Sequence, residues 1–213
     1  MGLPLTQHER TKIVKTIVKN AVAGLFLSVL FLLVMSAPGR AQVLAHSGDV
    51  AGYAGYFYVS NIDISVGGTH VSDNHGLYGA NGGYNVTPYV TVIGEYGYVP
   101  LYSGGGTTLK TQLYGGGARF NLSPGKKIVP YGVVTVGGDK LSASYSGGGT
   151  SLNGYYFGVG GGASYYVSKN WGVRPEFRYV RPEYSFTGVS HSYNTIAMTG
   201  GVFYQWGGMG KKK

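Results

Sequence analysis

Arg174, Glu176 and Arg178 occupy every second position of the stretch Trp171–Tyr179, while Trp171, Val173, Phe177 and Tyr179 fill the alternate positions. In an extended strand alternate residues point to opposite faces, so this spacing stacks a guanidinium, a carboxylate and a second guanidinium in one column. Glu95 and Arg119 are the other ionic side chains expected to share that side. Brought together away from water, such groups form a paired, hydrogen-bonded network, because an unpaired buried charge is costly to desolvate. Left apart, they would line an ion path. Other constellations carry less. His70 and His75, with Asp63 and Asp73, offer imidazole and carboxylate at a spacing that matches no defined metal site. His191, Ser192 and Glu183 offer the three group types of acyl-transfer catalysis, which geometry rather than order must assemble. The runs GGGT, GGGA and GVGGG are not followed by a helix opening with Lys-Ser or Lys-Thr, which excludes a phosphate loop. Cysteine is absent, which removes disulfides and thiolate metal sites. No metal and no cofactor are expected.

The elements that position these groups are strands. Charged residues are only 12% of the chain, and its 39 glycines and 20 tyrosines weaken helix interiors and favour sheet. The net charge of +9 does not mark a nucleic-acid binder. Arg10, Lys12, Lys15, Lys19 and Arg40 precede residue 42, and Lys211, Lys212 and Lys213 form the terminal run. The nine remaining bases face seven acids, a near-neutral body of +2, without basic clusters interleaved with aromatics.

Residues 1–20 are basic and polar, Ala21 to Met35 is uncharged and mostly apolar, and Gly39 and Ala41 follow as a small-x-small pair. This predicts a signal peptide over residues 1–41, cleaved after Ala41, ahead of a barrel domain at 42–213. The apolar run spans about 22 Å as a helix, short of the roughly 30 Å needed by a retained anchor.

Beyond residue 48 short alternating runs are punctuated by glycine, asparagine and proline. YSGGGTTL (102–109) returns as YSGGGTSL (145–152), and GGGARFNLS (115–123) returns as GGGASYYVS (160–168). The offsets fit one antiparallel hairpin period, the unit by which an up-and-down barrel grows. Eight strands are expected at roughly 50–60, 76–86, 89–100, 107–122, 128–144, 152–168, 171–185 and 192–206. Short turns follow the even strands and longer or glycine-rich connections the odd ones, as in bacterial outer-membrane barrels. On the last strand Ile196, Met198, Val202, Tyr204 and Trp206 share one face. Thr195, Ala197, Thr199, Gly201 and Gln205 share the other, with Phe203 as the exception.

The tracts TPYVTVIGEYGYV (87–99), GGGARFNLSP (115–124), VPYGVVTVGG (129–138), GVGGGASYYVSKNWGVRPEFRYV (158–180) and TGGVFY (199–204) resemble the small outer-membrane β-barrel family, OmpA/OmpX-like, porin-family barrel domains included. Thr199, Gly201, Tyr204 and Trp206 are similar to that family's last-strand signal for the barrel-assembly machinery. The same spacing recurs at Gly117, Phe120 and Leu122 and at Gly162, Tyr165 and Val167. Phe120, Tyr165 and Trp171 are thereby expected as interface aromatics at the periplasmic level. Two departures stand out: GGMGKKK follows Trp206, and no peptidoglycan-binding domain is appended. Some barrels of this kind are lipid A deacylases with an H-x-S-N arrangement, which His191-Ser192-Tyr193-Asn194 misses. The resemblance implies a non-enzymatic integral protein of the outer membrane, monomeric, contacting outer-membrane lipid including lipopolysaccharide. A narrow porin or small-solute conduit and a barrel enzyme acting on lipid A are the alternatives.

Overall fold

The computed structural model describes residues 43–60, 65–66, 69–70, 74–186, 189–192 and 194–207. The leader, its cleavage point and the GGMGKKK tail after Gly207 lie outside them. Eight long strands form one sheet: β1 (Ser47–Ser60), β2 (Asn74–Asn85), β3 (Val90–Gly104), β4 (Thr107–Asn121), β5 (Ile128–Tyr145), β6 (Gly148–Tyr166), β7 (Trp171–Phe186) and β8 (Asn194–Gly207). Each pairs antiparallel with its neighbours in sequence, and β8 pairs with β1, so the sheet closes and leaves no free edge. Small ladders join Ser65–Val66 to Thr69–His70 and fold Val189–Ser192 back on β7.

The ladders fix the barrel's geometry. One row of paired residues runs Ile128, Tyr165, Val173, Val202, Gly52, Ala80, Tyr96, Tyr114 and back to β5 at Gly138. The circuit returns ten residues further along, 138 against 128, which is the shear. Eight strands with that shear tilt by about 40° and enclose a radius of about 8 Å, room for side chains and little else.

The strands sit close to their expected positions, with two informative differences. β1 begins at Ser47, which brings Asp49 into the ladder. The glycine-rich YSGGGT segments form tight two-residue turns in place of flexible tips. Gly105 and Gly106 have φ of 57° and 75°, the consecutive left-handed pair that a twisted two-residue hairpin turn requires. β3 and β4 therefore stay paired out to the turn, and β5 and β6 are paired out to Tyr145 and Gly148 as well. The register shift between Pro100 and Tyr102 turns Leu101 toward the core beside a proline that has no N–H to give the ladder.

The outward face is an apolar belt. Tyr56, Tyr78, Tyr96, Tyr114, Phe157 and Phe177 are exposed toward one rim, and Tyr84, Tyr89, Phe120, Trp171 and Trp206 toward the other. Between the two rings the outward positions are small or aliphatic, among them Ala54, Ala80, Gly94, Ala118, Val134 and Val202. On β5 the uncharged outward run from Ile128 to Gly138 rises about 25 Å at that tilt, the height of a hydrocarbon-facing band. So large a continuous exposed apolar surface is foreign to a water-soluble monomer and matches acyl chains. Both ends of the barrel chain and the turns 86–89, 122–127 and 167–170 lie at the second rim.

Candidate functional site

Inward positions of β1, β3, β4 and β7 build two stacked ionic layers in the lumen. In the layer nearer the termini, Asp49 on β1 takes Arg119 Nη1 on one carboxylate oxygen and Arg174 Nη1 on the other, each at 3.1 Å. Arg174 also donates from Nε to Ser164 Oγ at 3.1 Å and from Nη1 to Asn81 Oδ1 at 3.4 Å. The three ions are no more than 5% exposed. Below them the barrel is closed by an apolar cluster of Val43, Ala51, Val129, Tyr166 and Phe203. Phe203, the inward exception of the last strand, meets the Tyr166 ring edge-on at 5.0 Å and lies 4.5 Å beneath the Arg174 guanidinium. Val43 is drawn in from the chain ahead of β1, its N–H donating to Pro124 O at 2.9 Å.

The second layer lies one step up. Arg178 Nη1 bonds both oxygens of Glu95 at 2.7 and 2.6 Å, and its Nη2 bonds Glu176 Oε1 at 2.5 Å. Tyr156 donates to Glu95 Oε1 at 2.7 Å and Tyr131 to Glu176 Oε2 at 2.9 Å. The Tyr131 ring in turn sits 5.3 Å from the Arg119 guanidinium, so one side chain ties the layers together. Formal charge balances across them: two arginines against one aspartate below, one arginine against two glutamates above. Charge-assisted bonds of this length are the strong kind, and every ion of the two layers has an opposite charge beside it, while the buried Nε of Arg119 has no hydrogen-bond partner among the described residues.

Above the second layer the lumen turns apolar, with Phe57, Val59, Leu77, Val99, Leu113, Val180 and Ala197 packed together. A cavity of about 30 Å³ separates this cluster from Glu95, Glu176 and Arg178, room for a water or two. Higher still, Asp139 accepts hydrogen bonds from Thr111 and Tyr184.

The five ionic residues singled out in the sequence, Glu95, Arg119, Arg174, Glu176 and Arg178, thus all face inward, but in two groups rather than one. Asp49, which centres the first group, falls outside the expected strand 50–60, because β1 begins three residues earlier, at Ser47. Asp139 lies inside the expected fifth strand but is not singled out by the sequence, because its partners Thr111 and Tyr184 come from β4 and β7. Of the last-strand residues, Thr199 lines the cavity and Gly201 is held close to the Gly52 carbonyl. Tyr204 and Trp206 face outward, their rings stacked at 6.3 Å, with Trp171 4.8 Å from Tyr204. Phe120 and Trp171 are about half exposed, whereas Tyr165 is 6% exposed, covered by the Lys127 ammonium 5.2 Å from its ring.

Register pairs Ser192 with Glu183 and His191 with Tyr184, and Ser192 Oγ accepts a bond from Arg181 Nη2 at 3.1 Å. Asp63 and Asp73 lie outside the described residues, and among the described ones no group of three metal-ligating side chains occurs.

The pattern of the outer membrane protein β-barrel domain matches residues 27–205. No curated protein matches the chain. Neisserial surface protein A is similar in structure, with a TM-score of 0.60 and 16% identity over 75% of this chain and 97% of its own. The N-terminal barrel domain of Pseudomonas aeruginosa OprF is similar with a TM-score of 0.55 and 15% identity, over 76% of this chain and 99% of its own.

Proposed function

Because this chain belongs to the outer membrane protein β-barrel domain family, we propose that it is a non-catalytic structural protein of the cell envelope, presenting its outer connections to the surroundings. The observation behind this reading is the occupied lumen: two charge-paired ionic layers between two apolar clusters. A solute path would require breaking charge-assisted bonds in a region of low dielectric, each worth about 1.5–3 kcal/mol. The layers therefore weigh against the conduit. The separation of His191 from the paired Ser192 and Glu183 in the register weighs against a lipid-cleaving enzyme.

In this reading residues 1–41 are a signal peptide removed on export. Thr199, Gly201, Tyr204 and Trp206 form the strand end that the assembly machinery engages, and the protein works as a monomer within lipid that includes lipopolysaccharide. Deleting the chain from its host tests this. Detergent sensitivity should rise while the acylation pattern of lipid A stays the same. Unchanged envelope resistance, or altered acylation, contradicts the proposal.

A further inference from the structure

Among the described residues Asp139 is the inward acid that has no salt bridge; Asp49, Glu95 and Glu176 all meet arginine. Its side chain is 0% exposed and accepts from Thr111 of β4 on one oxygen and from Tyr184 of β7 on the other. Tyr184 reaches it across a whole strand. β6 lies between β5 and β7, and its Gly154 pairs with Asp139 on one side and with Tyr184 on the other. A Cβ on Gly154 would lie 2.6 Å from the Tyr184 ring and 2.5 Å from Glu183 O, so a side chain there would displace the ring. One carboxyl thereby ties β4, β5 and β7 together at the outer mouth, one residue beyond the outward apolar run that ends at Gly138. Tyr184 also pairs with His191, which extends the tie to the turn-back strand Val189–Ser192.

The other titratable groups near this carboxyl are few. β6 presents Tyr156, whose hydroxyl is committed to Glu95. The shear brings His75 of β2 to the height of Asp139 on the opposite wall, where it has an interaction of its own. β1, β3, β4 and β8 present none at this height, and Lys110 and Lys140 point outward. Burial pushes the Asp139 carboxyl up, and the bonds from Thr111 and Tyr184 pull less strongly the other way. We propose that Asp139, Thr111 and Tyr184 form a proton-operated latch that holds the outer end of β7, with the Val189–Ser192 strand, against β5. The neutral carboxyl donates to one hydroxyl oxygen and accepts from the other, so both contacts stand without a buried charge. The ionised carboxylate has no counter-charge beside it, and the water that hydrates it parts Tyr184 from β5. Closure is therefore complete below the ordinary carboxyl range and is lost as pH rises through the raised value. The latch rests on the barrel reading and gives its outer connections two states.

The chain has no cysteine, so Ser192→Cys accepts a single spin label at the latched strand. In the full-length protein in lipid vesicles, the mobile fraction of that label should rise about threefold between about pH 4 and pH 8. Asp139→Asn keeps both contacts without charge, and should hold the label immobile at every pH. Thr111→Val with Tyr184→Phe should leave it mobile at every pH. His75→Gln and His191→Gln should each leave the midpoint in place. A flat profile in the otherwise unsubstituted protein, an Asp139→Asn protein that still titrates or is mobile, or a transition abolished by either histidine variant overturns the proposal. Each variant is first run unheated and heated on a gel to show a folded barrel. Should Asp139→Asn fail to shift, Tyr184→Phe alone carries the test: a mobile label at every pH supports the latch, and an unchanged profile overturns it. Absence of the shift in the unsubstituted protein sinks the barrel reading instead.

Discussion

Arg174 and Arg181 lie seven residues apart on β7 and carry the same guanidinium, yet they live in opposite circumstances. Arg174 is 5% exposed, bonded to Asp49, Ser164 and Asn81 and stacked on Phe203. Arg181 is exposed and bonds only a serine hydroxyl among the described residues. Strand parity sends the first inward and the second outward. Inside, no water competes, so every charge needs a counter-charge from the protein itself. Outside and past the aromatic ring, solvent and headgroups supply what the protein omits. One strand thus meets three solvents, and its sequence answers each.

That contrast can be broken in steps. Asp49→Ala leaves both Arg119 and Arg174 buried without a carboxylate, and should destabilise the barrel by about 3–5 kcal/mol in urea unfolding from lipid vesicles. Loss below 1 kcal/mol would mean that water reaches the layer, a threshold set by the cost of surface pairs at about 0–1 kcal/mol. Phe203→Ala removes the ring under Arg174 and should cost about 3 kcal/mol in the same titration, whereas Val202→Ala next to it faces lipid and should cost far less. Glu176→Gln keeps Arg178 bonded to Glu95 and should cost about 1–3 kcal/mol, which a double-mutant cycle with Tyr131→Phe would show to be shared. Lys140→Gln, on the exposed outer face of β5, should change unfolding by less than about 0.5 kcal/mol.

Parity made much of this visible before any fold was known. Every second residue of WGVRPEFRY separates ions from aromatics, and two repeats some 43 to 45 residues apart mark the hairpin period. What parity cannot give is depth. Arg174 and Arg178 share a face, but four residues of rise put them in different layers with different acids, and which acids depends on the shear of the closed ladder. Asp49 comes from a strand 125 positions away from Arg174, so no local spacing could pair them. Phe203 looked out of place because a polar lumen was expected throughout; next to Tyr166 it belongs to an apolar floor. Tyr165 has the spacing of a girdle residue, but the lysine that covers it sits in a turn between other strands. The tightness of the first YSGGGT turn depends on Gly105 and Gly106 taking positive φ together, which composition permits without requiring.

The sealed lumen is most directly tested by planar-bilayer recording of the purified full-length protein. With both ionic layers intact the recording should stay at baseline across the voltage range, without unitary steps. Stable unitary currents from the unmodified chain would contradict the account, because ions would then be crossing the Asp49 and Glu95 layers.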